Sequence, residues 1–246
     1  MNEKCSNGSR GASALTEARL SKWICVLLLT VFAVAVSSPL SAAESSFFIR
    51  VGAGASTPSL KNLNAELERQ GNKDVRTGYS FAVSLGRYFG GRAWSLEAHF
   101  SAMFYPNFDY TIKSDSLHSF PGKLKHFDYL LIAHRYLWPS GKLFKPSIGA
   151  GIGYGTAELL TGGGKIGAAE ALLTGKIESE IRSNIDLSLE CAYYTGLAQK
   201  TFGNPFLLNV DTDYVVDSSG KPLRDTFRSL DVRLGITVRL KQMGPQ

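Results

Sequence analysis

The sequence has 246 residues, of which 44% are apolar and 20% are charged, and its formal net charge is +6. These proportions fit one domain plus a targeting segment, and they exclude an intrinsically disordered chain. The positive charge is small and dispersed along the sequence, which excludes nucleic acid as a predicted partner.

The N-terminal 43 residues have the pattern of a cleaved signal peptide. Basic residues precede an apolar run over 23–36, and small residues follow it. The run is too short to cross a membrane as a helix. We expect cleavage after Ala43, which makes 44–246 the mature domain. Cys191 is then the only cysteine of an exported chain, so no disulfide framework is predicted.

Strands and loops alternate along the mature chain. Each predicted strand alternates apolar with polar or small residues, which is typical of a strand with one apolar face. The strands are predicted over 47–56, 78–89, 94–105, 125–137, 143–156, 170–181, 185–197 and 229–241. Glycine-containing or polar tight turns are predicted at 90–93, 138–141 and 182–184, and long loops at 57–77, 106–124, 161–169 and 198–227.

This arrangement predicts an all-β fold, an eight-stranded antiparallel up-and-down transmembrane β-barrel. Strands of about ten residues can cross a bilayer at a tilt, and closure of the sheet leaves no unpaired edge in lipid. Tight turns at one end and long loops at the other fit the same fold. A soluble up-and-down barrel such as a lipocalin is the alternative.

The charged residues distinguish these two folds, because a soluble ligand-binding barrel has an apolar interior. Here one predicted face of the strands is charged and the opposite face is almost uniformly apolar, which favours lipid outside and a salt-bridged interior. The predicted interior charge network consists of Arg50, Glu97, Asp128, Lys176, Glu178, Glu180, Asp186, Glu190, Asp231, Arg233 and Arg239.

The last strand carries a further pattern. Its residues Arg233, Gly235, Val238 and Leu240 are spaced as polar-x-Gly-x-x-apolar-x-apolar. With this pattern the chain resembles the small eight-stranded outer membrane proteins, typified by the barrel of outer membrane protein A and more loosely by outer membrane protein W. The resemblance implies a location in the cell outer membrane and contact with its lipids. It also implies that these four residues form a signal for the barrel assembly machinery.

Candidate catalytic residues are few. Glu97, His99 and Ser101 share a predicted inner face, and some outer membrane barrels deacylate lipid A with a His-x-Ser pair. Residues two apart on a strand lie about 7 Å apart, and inside a barrel they would not meet a lipid. The G-x-G-x-x-G pattern at 162–167 has no strand-turn-helix context and is predicted to be a loop. Metal-ligand spacing is absent, so we predict no catalytic residue, cofactor or metal.

Three functional hypotheses follow. The leading one is a non-enzymatic outer membrane protein with an envelope-structural or surface-interaction role, carried by its extracellular loops. The alternatives are a narrow porin for small solutes, although eight strands enclose little more than their own side chains, and a lipid A-modifying enzyme. The loop at 198–227 is long enough to carry a binding surface for an external ligand or host partner. Its contact candidates are Phe206, Leu207, Leu208 and Tyr214.

Overall fold

The computed structural model describes residues 46–69, 74–113, 117–140, 143–160, 165–197, 200–201 and 223–240. The predicted signal peptide therefore lies outside the described residues. So do the loop candidates Phe206, Leu207, Leu208 and Tyr214 and the first part of the glycine pattern.

Eight strands form a closed antiparallel barrel, which confirms the predicted fold class. Strand β1 pairs with both β2 and the last strand, β10, so the barrel has no free edge. The barrel strands are β1 Phe47–Pro58, β2 Gly78–Phe89, β3 Trp94–Lys113, β4 Leu117–Tyr136, β5 Lys145–Leu160, β6 Lys165–Arg182, β7 Ile185–Gly196 and β10 Arg228–Leu240. Two short strands, β8 Lys200–Thr201 and β9 Arg224–Asp225, pair with each other outside the barrel.

The connections between β2 and β3, β4 and β5, and β6 and β7 lie at one end of the barrel, which we call the turn end, and the other connections lie at the opposite, loop end. The turn between β2 and β3 shows why glycine is needed there. Gly90 and Gly91 have φ angles of 56° and 61°, and the Ala93 N–H donates a hydrogen bond of 3.0 Å to the Gly90 carbonyl. Glycine adopts positive φ without a steric penalty, so this sequence ends β2 sharply.

The barrel is apolar outside and polar inside. Strand β10 shows the alternation, with Leu234 and Ile236 62% and 46% exposed while Arg233 is 1% exposed. Soluble proteins bury apolar side chains and leave charges in water, so this distribution is inverted. It is the distribution that lipid around the barrel requires.

The four strands β3 to β6 extend further towards the loop end than the sequence predicts. The predicted loop over 106–124 is wrong, because β3 continues to Lys113 and β4 begins at Leu117. The pairing register shifts between Tyr105 and Phe108, which is the mark of a β-bulge. Proline has no N–H donor and usually ends strand pairing, but a bulge accommodates Pro106 here. The predicted loop at 161–169 is also too long, since β6 begins at Lys165.

The connection between β1 and β2 contains a helix, α1 Lys61–Arg69, where the sequence interpretation had only a polar loop. Its side chains Leu63 and Leu67 are buried in a cluster that also contains the lumen-facing Tyr105 and Phe227, which directly precedes β10. The apolar positions were visible in the sequence, but their packing surface is formed only when the barrel closes. None of the helices in the described residues is long and apolar enough to cross a membrane.

The N-terminus of α1 is capped by a residue from the other end of the chain. One carboxylate oxygen of Asp225 accepts hydrogen bonds of 2.9 Å from the backbone N–H groups of both Asn62 and Leu63. Burial raises the pKa of the Asp225 carboxyl, although the backbone donors act in the opposite direction. This contact joins α1 to β9, and we call α1, β9 and the adjoining Leu223 and Phe227 the cap.

Candidate functional site in the charged barrel interior

The lumen contains most of the ionisable residues that the sequence analysis assigned to it. Every residue of the predicted network is buried except Glu180, whose side chain is 29% exposed at the turn end. The charges are grouped into four clusters along the barrel axis. Each cluster joins residues from several strands, so the contacts depend on barrel closure.

The turn-end cluster is formed by Lys145, Glu180, Asp186 and Arg239. Both oxygens of Asp186 accept hydrogen bonds from Arg239 Nη1, at 3.0 and 2.7 Å. The ammonium group of Lys145 lies 3.2 Å from Asp186 and 3.1 Å from Glu180. Lys145 is not among the predicted lumen residues, although it lies two residues before the inward-facing Ser147 on β5 and so points to the same face. Two cations therefore balance two acids at this end.

The central cluster crosses the lumen. Arg50 on β1 donates hydrogen bonds to Glu97 on β3 and to Glu178 on β6, at 2.5 and 2.6 Å. Lys176 lies 3.3 Å from Glu97 and 3.2 Å from Glu178, so two cations and two carboxylates alternate. The His134 ring lies beside them, 3.4 Å from Glu97. These side chains fill the middle of the barrel.

A third cluster surrounds Arg233. Its guanidinium donates a hydrogen bond of 2.7 Å to the Tyr194 hydroxyl and lies 3.4 Å from Glu190 and 3.8 Å from Asp231. The Thr174 hydroxyl donates to Glu190 at 2.9 Å. Arg233 thus joins β10 to the neighbouring strand β7, and Thr174 extends the cluster to β6.

The three residues considered for catalysis do not form a relay. His99 Nδ1 is hydrogen-bonded to the Ser84 hydroxyl at 2.8 Å, and Ser101 donates to Asp128 at 2.7 Å. Glu97 belongs to the central cluster instead. All three are buried in the lumen, where a membrane lipid does not reach them.

The loop-end cluster combines His126, Asp128 and Glu170. The His126 Nε2 atom lies 3.2 Å from Asp128 Oδ1 and 2.9 Å from Glu170 Oε1. Asp128 is among the predicted lumen residues, whereas His126 and Glu170 are not. Residues an even number of positions apart on a strand point to the same face. His126 is two residues before Asp128 and Glu170 is six before Lys176, so both could have been assigned to the lumen from the sequence.

Glycines on β5 provide the space for these large side chains. Four glycines face the lumen on this strand, and a Cβ atom added at any of them would collide with a neighbour. At Gly149 the added atom would lie 2.5 Å from His134 Nδ1, and at Gly155 it would overlap the carboxyl group of Glu170. Because these positions have no side chains, larger residues of neighbouring strands pack directly against the backbone of β5.

The proposed assembly signal occupies both faces of β10. Arg233 points into the lumen and Gly235 lies against the backbone of Val51, whereas Val238 and Leu240 are 38% and 44% exposed on the outer face. Recognition by the assembly machinery stays a prediction.

Comparison with solved structures identifies the fold. Neisserial surface protein A shares 15% sequence identity with this chain; the match covers 80% of this chain and 99% of that protein, with a TM-score of 0.52. This chain has the fold of the small outer membrane barrels. Within that fold the four charged clusters occupy the lumen, and the cap lies over the loop end.

Other small outer membrane barrels also match. OprG from Pseudomonas aeruginosa has 13% identity and a TM-score of 0.48, over 80% of this chain and 96% of that one. The attachment invasion locus protein of Yersinia pestis has 11% identity and a TM-score of 0.45, over 80% of this chain and 99% of that one. No protein-family model matches the sequence, and no curated protein matches it.

Proposed function

We propose that this protein is a non-enzymatic outer membrane barrel, closed by its own side chains, with an envelope-structural or surface-interaction role at its loop end. The observation that carries the proposal is the inverted barrel whose lumen is bridged by Arg50. An apolar exterior needs lipid, and a lumen filled by ion pairs does not conduct solutes of porin size.

The central cluster favours this proposal over a narrow porin. Arg50 contacts carboxylates on two strands that are not its neighbours, and Lys176 contacts the same two carboxylates. Opening a water-filled path would separate these charges inside a low-dielectric barrel. Breaking buried ion pairs in this way is strongly unfavourable.

The positions of His99 and Ser101 argue against a lipid A-modifying enzyme. Their side chains are hydrogen-bonded to Ser84 and Asp128 inside the lumen, while lipid A would contact the outer face. A reactive group for this substrate would have to lie among the outward-facing residues. The described outward-facing residues of the barrel strands are predominantly apolar.

The loop end offers the surface for an external partner. Strands β3 and β4 each have 20 residues, about twice the length needed to cross a bilayer, so their hairpin projects beyond the membrane. The cap lies at the same end, where the connection between β7 and β10 also begins and ends. We propose that this end, including Phe206, Leu207, Leu208 and Tyr214, contacts an external ligand or a host or cell-surface partner.

Two measurements on the full protein test the proposal. Expressed in a Gram-negative host, the protein should fractionate with the outer membrane and migrate differently in SDS gels before and after boiling. In planar bilayers the folded protein should give no stable porin-sized conductance, and boiled protein serves as the control. A water-soluble periplasmic product would contradict the membrane barrel, and stable conductance would contradict the closed lumen.

A further inference from the structure

Three side chains that commonly bind metal ions converge inside the loop end of the barrel. His126, Asp128 and Glu170 each offer one ligand atom within 4.8 Å of the others. The His126 Nε2 atom lies 2.9 Å from Glu170 Oε1 and 3.2 Å from Asp128 Oδ1. Tetrahedral Zn²⁺ with bonds of about 2.1 Å places its ligands roughly 3.4 Å apart, so these atoms need to move little to surround an ion.

The same cluster contains buried atoms without hydrogen-bond partners. Among the described residues, Asp128 Oδ1 and Glu170 Oε2 have none, and the two residues are 0% and 2% exposed. Asp128 Oδ1 nevertheless points into the cluster, since it lies 3.2 Å from His126 Nε2. Buried polar atoms are nearly always satisfied, so these atoms indicate a missing ligand.

The charges of the cluster point to a cation. No lysine or arginine in the described part of the chain forms an ion pair with Asp128 or Glu170, in contrast to the acids of the other clusters. Two neighbouring carboxylates in a low-dielectric interior repel each other. A divalent ion would neutralise both and satisfy the free oxygen atoms.

The fold is shaped to bring these residues together. Strands β4 and β6 are separated by β5, so the side chains must bridge about 10 Å between the backbones. Gly155 makes this possible, because it pairs with Asp128 and any Cβ at its position would overlap the Glu170 carboxyl group. The Ser101 hydroxyl donates to Asp128 Oδ2 and leaves Oδ1 directed at the site, as supporting hydrogen bonds commonly do for metal ligands.

A small cavity lies between this cluster and the cap. Its lining includes His126 and Glu170 from the cluster and Asp225 and Phe227 from the cap. The Phe227 ring lies over His126, with ring centroids 3.5 Å apart. Phe227 therefore packs against the cluster on the side of the cap.

We propose that His126 Nε2 and one carboxylate oxygen each of Asp128 and Glu170 form a binding site for Zn²⁺ or a closely similar divalent transition-metal ion. Water completes the coordination. An imidazole with two carboxylates suits such ions better than the oxygen-only sites that Ca²⁺ prefers. The site replaces the prediction of no metal, which rested on spacing along the sequence, whereas these ligands come from strands that the barrel brings together.

The test is calorimetric titration of Zn²⁺, and of Ca²⁺ for comparison, into the detergent-solubilised protein after chelator treatment. We expect one Zn²⁺ per barrel and much weaker Ca²⁺ binding. Asp128→Asn and Glu170→Gln should each weaken Zn²⁺ binding at least about tenfold. Gly155→Ala should do the same by displacing Glu170. Gly175→Ala is the matched control, because an added Cβ there meets no atom within 4 Å.

His134→Gln gives a second control, since it removes another buried histidine outside the cluster and should leave Zn²⁺ affinity unchanged. The gel shift on boiling shows for each variant that the barrel has folded. A folded wild-type protein that binds no Zn²⁺ would overturn the proposal and leave a shared proton to neutralise the two acids. Zn²⁺ binding that survives in the folded Asp128→Asn/Glu170→Gln double variant would overturn it as well, by placing the ion elsewhere.

Discussion

Arg50 on β1 and Glu178 on β6 form an ion pair at 2.6 Å, although three steps around the barrel separate their strands. The contact therefore runs across the lumen and not along its wall. Both side chains are nearly inaccessible to solvent. The charges in this barrel therefore hold opposite walls together.

Arg50→Met should destabilise the barrel strongly. The change leaves Glu97 and Glu178 buried with Lys176 as their remaining cation, and loss of one partner in a buried ion pair typically costs about 3–5 kcal/mol. Urea unfolding in detergent or lipid, followed by the gel shift, measures the loss. Arg135→Met is the control, because Arg135 lies on the outer face over the Trp94 ring and should cost less than about 1 kcal/mol. Equal losses for the two variants would refute the bridging role.

Gly149→Ala should destabilise the barrel by about 1–3 kcal/mol, because the added methyl group overpacks the His134 ring. In a His134→Ala background the same change should be nearly neutral. A double-mutant cycle measured by urea unfolding should therefore give a coupling of about 1 kcal/mol or more. Additive effects would show that the ring is not what excludes a side chain at Gly149.

Asp225→Ala should loosen α1 without opening the barrel. The substitution removes the acceptor for two N–H groups at the start of the helix, a loss worth about 0.5–2 kcal/mol. Hydrogen exchange of the amides at 61–69 should accelerate, while the barrel strands and the gel shift stay unchanged. Arg224→Ala is the neighbouring control, since its exposed side chain is lost but its carbonyl still accepts from Asn62. Unchanged exchange in Asp225→Ala would contradict the capping role.

Replacement of residues 205–222 by a short Gly-Ser link should leave the gel shift intact and abolish binding to the external partner. The barrel strands pair without this segment, which contains Phe206, Leu207, Leu208 and Tyr214. Binding of intact and trimmed protein to host cells or surface extracts provides the measurement. A similar link in place of 161–164 serves as the control. Binding retained by the trimmed protein would exclude this loop as the contact surface.

The sequence by itself was sufficient for the barrel and for the direction of its side chains. Successive residues of a strand point to opposite faces, so alternation alone places Arg50 and Arg233 on one face and Leu234 on the other. Charge on one face and apolar residues on the other then identify lipid as the outer environment. These are local properties, readable within each segment of about ten residues.

The strand ends and the helix were harder to predict, because the rules that indicate them can be overridden. Pro106 usually marks the end of a strand, but a bulge absorbs it and the pairing of β3 with β4 continues. Helix α1 is short for an independent helix and is stabilised by its contact with β9, to which it is bound through Asp225.

Only the tertiary structure decided which charges meet. Arg50 and Glu178 are 128 positions apart, and His126 and Glu170 are 44 apart. Their contacts depend on strand register, on the curvature that closes the sheet and on the space left by Gly155, none of which is encoded in the spacing of the charged residues themselves. A residue's face follows from the local alternation of the chain, whereas its partner follows from the closure of the whole barrel.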